Sequence, residues 1–132
     1  MWTVILGIFL LFHGLIHLAY VAPAPADPNY PFDLNKSWLI ASVGIDTGTI
    51  RLLGLVFAAL TAIGFLLAAL ATMGIIVPQT WWQPLTVTAA LASLVLLFLG
   101  WHNWLLLGVA IDVLLLVAVF VLHWQPFSAT VT

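Results

Sequence analysis

Cysteine is absent from this chain of 132 residues, which excludes disulfides, thiolate catalysis and cysteine-ligated zinc or iron–sulfur centres. Charge is nearly absent as well, at 5% of residues. Histidine aside, the only cationic side chains are Lys36 and Arg51, too few for a nucleic-acid surface. There is no Walker loop, G-x-G-x-x-G fingerprint or nucleophile elbow, so the familiar phosphate-binding and acyl-transfer motifs are missing. No internal repeat is visible, and no helix is broken at mid-membrane; secondary transporters commonly show both features.

What remains is 65% hydrophobic, far too apolar for a water-soluble fold. About 20 consecutive apolar residues suffice to cross a ~30 Å hydrocarbon core. Four such stretches occur, at 2–21, 49–72, 84–101 and 104–124. They show no period-2 alternation, and in lipid every backbone N–H and C=O must be satisfied within the protein; both facts favour helices over a barrel. The expected architecture is an all-α integral membrane four-helix bundle, up-down-up-down, as one domain. The first stretch lacks a basic n-region and exceeds the usual signal-peptide core, so it reads as a retained helix.

The connections are unequal. "WHNW" leaves so little chain between the last two spans that they must be antiparallel neighbours. The first loop is long, and its Pro- and Asp-rich start rules out a helix there. Its second half, "NKSWLIASVGID", predicts a short surface helix with Asn35 as its cap. The aromatics are expected to form two interfacial belts, with Trp2, Trp81, Trp82 and Trp124 on one side and Tyr20, Trp38, Trp101 and Trp104 on the other.

Polar residues inside the spans are the candidates for function. At 1.5 Å per residue, His17 lies roughly 7 Å and His13 roughly 13 Å from the first-loop end of span one, and Asp112 about 12 Å into span four from the same side. His13 and His17 stand four apart and share one helix face with Leu6, Leu10 and Tyr20. An ionised Asp at such depth costs about 2.5–3.5 kcal/mol on insertion scales, so Asp112 needs a partner or a proton. Arg51 enters the same half of the bilayer and His102 closes span three on that side, giving an expected cluster of His13, His17, Arg51, His102 and Asp112. Such a cluster can be a packing lock. It can also be a divalent-metal site of His13, His17 and Asp112, a haem or bacteriochlorophyll site, or a quinone site.

"HGLIHLAYV", "RLLGLVFAALTAIGFLLAAL" and "WWQPLTVTAALASLVLLFLGWHNWLLLGVAIDVLLL" together resemble small prokaryotic four-helix membrane proteins that are broadly DoxX-like. The fixed points of the resemblance are His13, His17, Arg51, Gly54, Trp82, Ser93, Gly108 and Asp112. It implies a prokaryotic cytoplasmic membrane and makes a link to thiosulfate or quinone oxidation thinkable, although the missing cysteines give sulfur chemistry no support. With no soluble domain and no catalytic motif, the expected role is a non-enzymatic accessory or assembly subunit. Its partners would be the lipid bilayer and other membrane subunits or further copies of the chain. The alternative is a redox or ligand-binding protein that uses the intramembrane cluster.

Overall fold

In a computed structural model, residues 1–127 are described, and among them only helices and loops occur. Five α-helices follow in order: α1 (Trp2–Ile16), α2 (Trp38–Val43), α3 (Thr47–Met73), α4 (Trp82–Leu99) and α5 (Leu106–Phe120). With the 3₁₀ turns that extend α1, α4 and α5, four segments are long and apolar enough to cross a membrane: Trp2–Tyr20, Thr47–Met73, Gln79–Leu99 and Asn103–Phe120.

Close backbone packing runs from α1 to α3, α3 to α4 and α4 to α5. Each pair runs in opposite senses. A Cβ on Gly7 would meet Met73 and one on Gly14 would meet Phe65; Gly64 faces Ala89, and Gly108 faces Leu97. These glycines let the helices approach closely, as small residues do in membranes. At Gly64 the neighbour is the Ala89 Cβ, only 2.9 Å from where a side chain would begin. The backbones of α1 and α5 hardly approach each other, so that seam depends on side chains.

The helix ends follow local chemistry. Asp46 caps α3 by accepting the Thr49 N–H at 2.9 Å, and the Thr49 hydroxyl donates to its other oxygen at 2.5 Å. These bonds, the hydroxyl first, hold the Asp46 carboxyl below its ordinary value. The cap is therefore complete above the usual carboxylate range and is lost as pH falls through the lowered value. Hydrogen exchange at the Thr49 amide is expected to accelerate across that acid range beyond its intrinsic pH dependence; exchange that follows intrinsic chemistry alone would contradict the cap. Gly74, at φ +70°, closes the other end of α3.

The surface helix exists, but Asn35 does not cap it. Asp33 accepts the Asn35 N–H to start a 3₁₀ turn, and Ser37 caps α2. Ser37 also donates to the Leu99 carbonyl at 2.5 Å, and Trp38 Nε1–H donates to Phe98 O at 2.9 Å. α2 thus satisfies carbonyls that the end of α4 leaves free. Trp82, at the start of its span, is 2% exposed and packs against Trp124 with ring centroids 5.7 Å apart. It faces α3 and α5 in a small core with Ala71 and Val119. Pro84 falls in the first turn of α4, where its missing N–H breaks no helical bond.

Candidate functional site: a buried network across three helices

α1 ends as an α-helix at Ile16 and tightens into a 3₁₀ turn over His17–Tyr20. The His17 amide now reaches the Gly14 carbonyl, and the His13 carbonyl instead accepts a hydrogen bond from His17 Nδ1–H at 2.9 Å. That bond fixes the tautomer of His17 and aims its Nε2 into the bundle. There it lies 2.7 Å from Ser93 Oγ on α4. Ser93 Oγ lies 2.5 Å from Asp112 Oδ2 on α5, and Asp112 Oδ1 accepts from His13 Nε2–H at 2.8 Å. The circuit returns to α1 and closes the seam that backbones leave open. Phe65 of α3 packs edge-on against the His13 ring at 4.9 Å, and Phe9 stacks on it at 6.0 Å.

With His13 donating its Nε2–H to Asp112, donor and acceptor rules leave two neutral arrangements. Ser93 has one hydrogen and two neighbours. If it donates to Asp112, then His17 must approach through Nε2–H; because His17 Nδ1 faces a carbonyl and also carries hydrogen, the ring is an imidazolium balancing a carboxylate. If Ser93 donates to His17 instead, Asp112 must be a carboxylic acid donating to Ser93. The two arrangements differ by a concerted shift of two hydrogens along Asp112–Ser93–His17. Both are electrically neutral overall, which removes the main penalty for a carboxylate at this depth. Asp112 is 0% exposed.

Of the five residues expected to cluster, the structure brings together His13, His17 and Asp112. Arg51 is outside the network: it is exposed and lines a separate cleft under the first loop. Its position on α3 turns it toward that loop, while Phe65 is the α3 residue that reaches the histidines. His102 is outside as well. It sits in extended backbone between α4 and α5, and its Nδ1 accepts the Trp104 N–H at 3.2 Å to start the turn into α5. Ser93, named from sequence as a fixed point of the resemblance and not as a member of the cluster, is the central member. Its signal was depth, since it stands as far from the end of span three as His13 and Asp112 stand from theirs.

A metal site of His13, His17 and Asp112 does not match this geometry. Each imidazole Nε2 addresses a different oxygen, and among the described residues no group of three or more His, Cys, Asp or Glu is placed to hold a metal ion. Nor is Ser93 set up for acyl transfer, despite its contact with His17: it is fully buried, and both faces of its hydroxyl are engaged.

One polar atom remains free. His13 Nδ1 makes no hydrogen bond among the described residues, and it is not among the side-chain atoms sealed without a partner, which are Tyr20 Oη, Thr61 Oγ1, Trp82 Nε1 and Thr86 Oγ1. His13 keeps 8% of its surface and lines an apolar cleft of about 130 Å³ between the end of α1 and the start of α5. Ile16, Phe32, Leu97, Trp104 and Ile111 form much of its wall. Trp104 is 80% exposed. With Nε2 committed to Asp112, Nδ1 is the ring atom of His13 left for a ligand in that cleft.

No protein-family model, curated protein or solved structure matches the chain.

Proposed function

We propose that this four-helix membrane protein binds a small lipophilic ring bearing a hydroxyl or carbonyl, of the quinol and quinone class. The ligand enters the α1/α5 cleft and meets His13 Nδ1. The observation that carries this reading is a histidine that lines an apolar cleft, with Nε2 tied to the buried Asp112 and Nδ1 without a hydrogen-bond partner among the described residues. The cleft suits a single ring, since apolar cavities of ~150 Å³ take one benzene, and it is too small for a porphyrin macrocycle. A hydroxyl donates to neutral His13; a carbonyl accepts once His13 is protonated. His17 and Ser93 are positioning residues that hold Asp112 in place. The resemblance to DoxX-like proteins supports a prokaryotic cytoplasmic membrane as the setting.

Equilibrium binding of a short-chain benzoquinol to the protein in nanodiscs tests this reading. One saturable site per chain is expected, weakened about tenfold in His13→Phe, which keeps a ring but removes the hydrogen-bond acceptor. Uptake no greater than that of empty nanodiscs would contradict it.

An accessory role in a larger complex is compatible with this ligand. It is favoured by α5, which buries only Asp112, Leu115 and Val119 and leaves Leu107, Leu114 and Phe120 outward for lipid or a neighbouring subunit.

A further inference from the structure

A second, larger cleft of about 510 Å³ lies under the first loop and shares only Phe32 with the histidine cleft. Its wall includes Tyr20 at the end of the first span, Asp33 and Asn35 of the loop, and Arg51 and Leu55 of α3. Arg51 stands in it without a counter-ion. Among the described residues the salt bridges are His13–Asp112 and Lys36–Asp33, and Arg51 donates no hydrogen bond to protein. Asp33 cannot serve it: one carboxylate oxygen accepts from the Asn35 backbone and side chain, and the other lies 3.5 Å from Lys36 Nζ. Arg51 does not help its helix either, because a cation near the N-terminal end of α3 opposes the macrodipole. A charged side chain that neither pairs nor supports its helix is explained by something outside the chain.

The surroundings specify the chemistry. The charged side chains of the cleft wall are Arg51 and Asp33, the latter already engaged by Asn35 and Lys36, whereas the exposed side chains farther along α3 are apolar. Leu55 shares the Arg51 face one turn deeper, and Leu52 beside it is 64% exposed. A ligand with an anionic head and a hydrocarbon tail fits both halves. We infer that this cleft binds an anionic phospholipid, its phosphodiester held by the Arg51 guanidinium and its acyl chain lying along Leu52 and Leu55. The planar guanidinium fork suits phosphate oxygens, and the first loop forms the other wall of the cleft. This site stands independently of the ligand proposed for His13.

The test uses the whole protein, delipidated in mild detergent and offered equal amounts of phosphatidylglycerol and phosphatidylcholine, with bound lipid counted by native mass spectrometry. Wild type is expected to retain phosphatidylglycerol preferentially. Arg51→Gln is expected to lower that preference about fivefold, the worth of one basic side chain near an anionic surface, while Arg51→Lys keeps most of it. Arg51 is exposed, so both variants should unfold at the wild-type temperature. Equal retention of the two lipids, or a preference unchanged in Arg51→Gln, would overturn the inference. Displacement of phosphatidylglycerol by millimolar inorganic phosphate would also overturn it, by making the occupant a free anion.

Discussion

Asp112→Ala is expected to destabilise the bundle by about 3 kcal/mol, whereas Asp112→Asn changes its stability by less than about 1 kcal/mol. Alanine strands the His13 Nε2–H and leaves the contact between Ser93 and His17 without its anchor. Breaking a buried pair from one side costs roughly 3–5 kcal/mol in soluble proteins, and the low end applies here because an unfolded chain in lipid also finds partners. Asparagine reproduces the arrangement with a neutral acid. Its carbonyl accepts from His13, its amide donates to Ser93, Ser93 donates to His17, and every bond is kept. What asparagine cannot do is balance a protonated His13. Thermal unfolding in detergent separates the two variants, and benzoquinol binding then reports the chemistry: Asp112→Asn should stay folded yet bind the quinol more weakly. Equal destabilisation by both variants would show that the network does not hold the helices as described.

The second large effect falls on Gly14. A Cβ there would lie 2.7 Å from the Phe65 Cβ, an atom fixed to the α3 backbone, so Gly14→Ala forces α1 and α3 apart. The expected loss is about 2 kcal/mol, typical of overpacking, and because Phe65 packs on the His13 ring, the network and its cleft distort with it. Gly7→Ala on the same helix makes the comparison. There the nearest atoms are Cγ and Sδ of Met73, a flexible side chain that can swing aside, with the Ala69 carbonyl oxygen next at 3.2 Å, so the loss should be smaller than at Gly14. Unfolding temperatures of the two variants check the difference; equal shifts would contradict the close contact assigned to Gly14.

The spans and the core of the site could be read from sequence because hydrophobic length and helical rise are geometric. His13, His17 and Asp112 were placed in one half of the bilayer by counting residues, and a hydrogen-bonded network does join them. Rotation about each helix axis was not legible in the same way. Arg51 has the right depth, but α3 turns it toward the first loop, and only packing between helices sets that angle. Ser93 was visible as a fixed point of the resemblance but not as a network member, since its hydroxyl matters here through two neighbours far away in the chain. That the Trp82 ring turns inward to fill a gap between helix ends was not legible either, since depth in the chain does not set which way a ring faces. The 3₁₀ turn that frees the His13 carbonyl leaves no mark in composition or periodicity.

The most direct test of the account is the protonation of the two imidazoles, read by ¹⁵N NMR on histidine-labelled protein in lipid bilayers. The network requires His13 to carry hydrogen on Nε2 with Nδ1 bare, and His17 to carry hydrogen on Nδ1, with its Nε2 in short contact with Ser93. Those assignments, lost for His13 in Asp112→Ala, are the predicted result. A His13 protonated on Nδ1 alone, or a His17 with a bare Nδ1, would contradict the network and remove the physical basis for a ligand at His13.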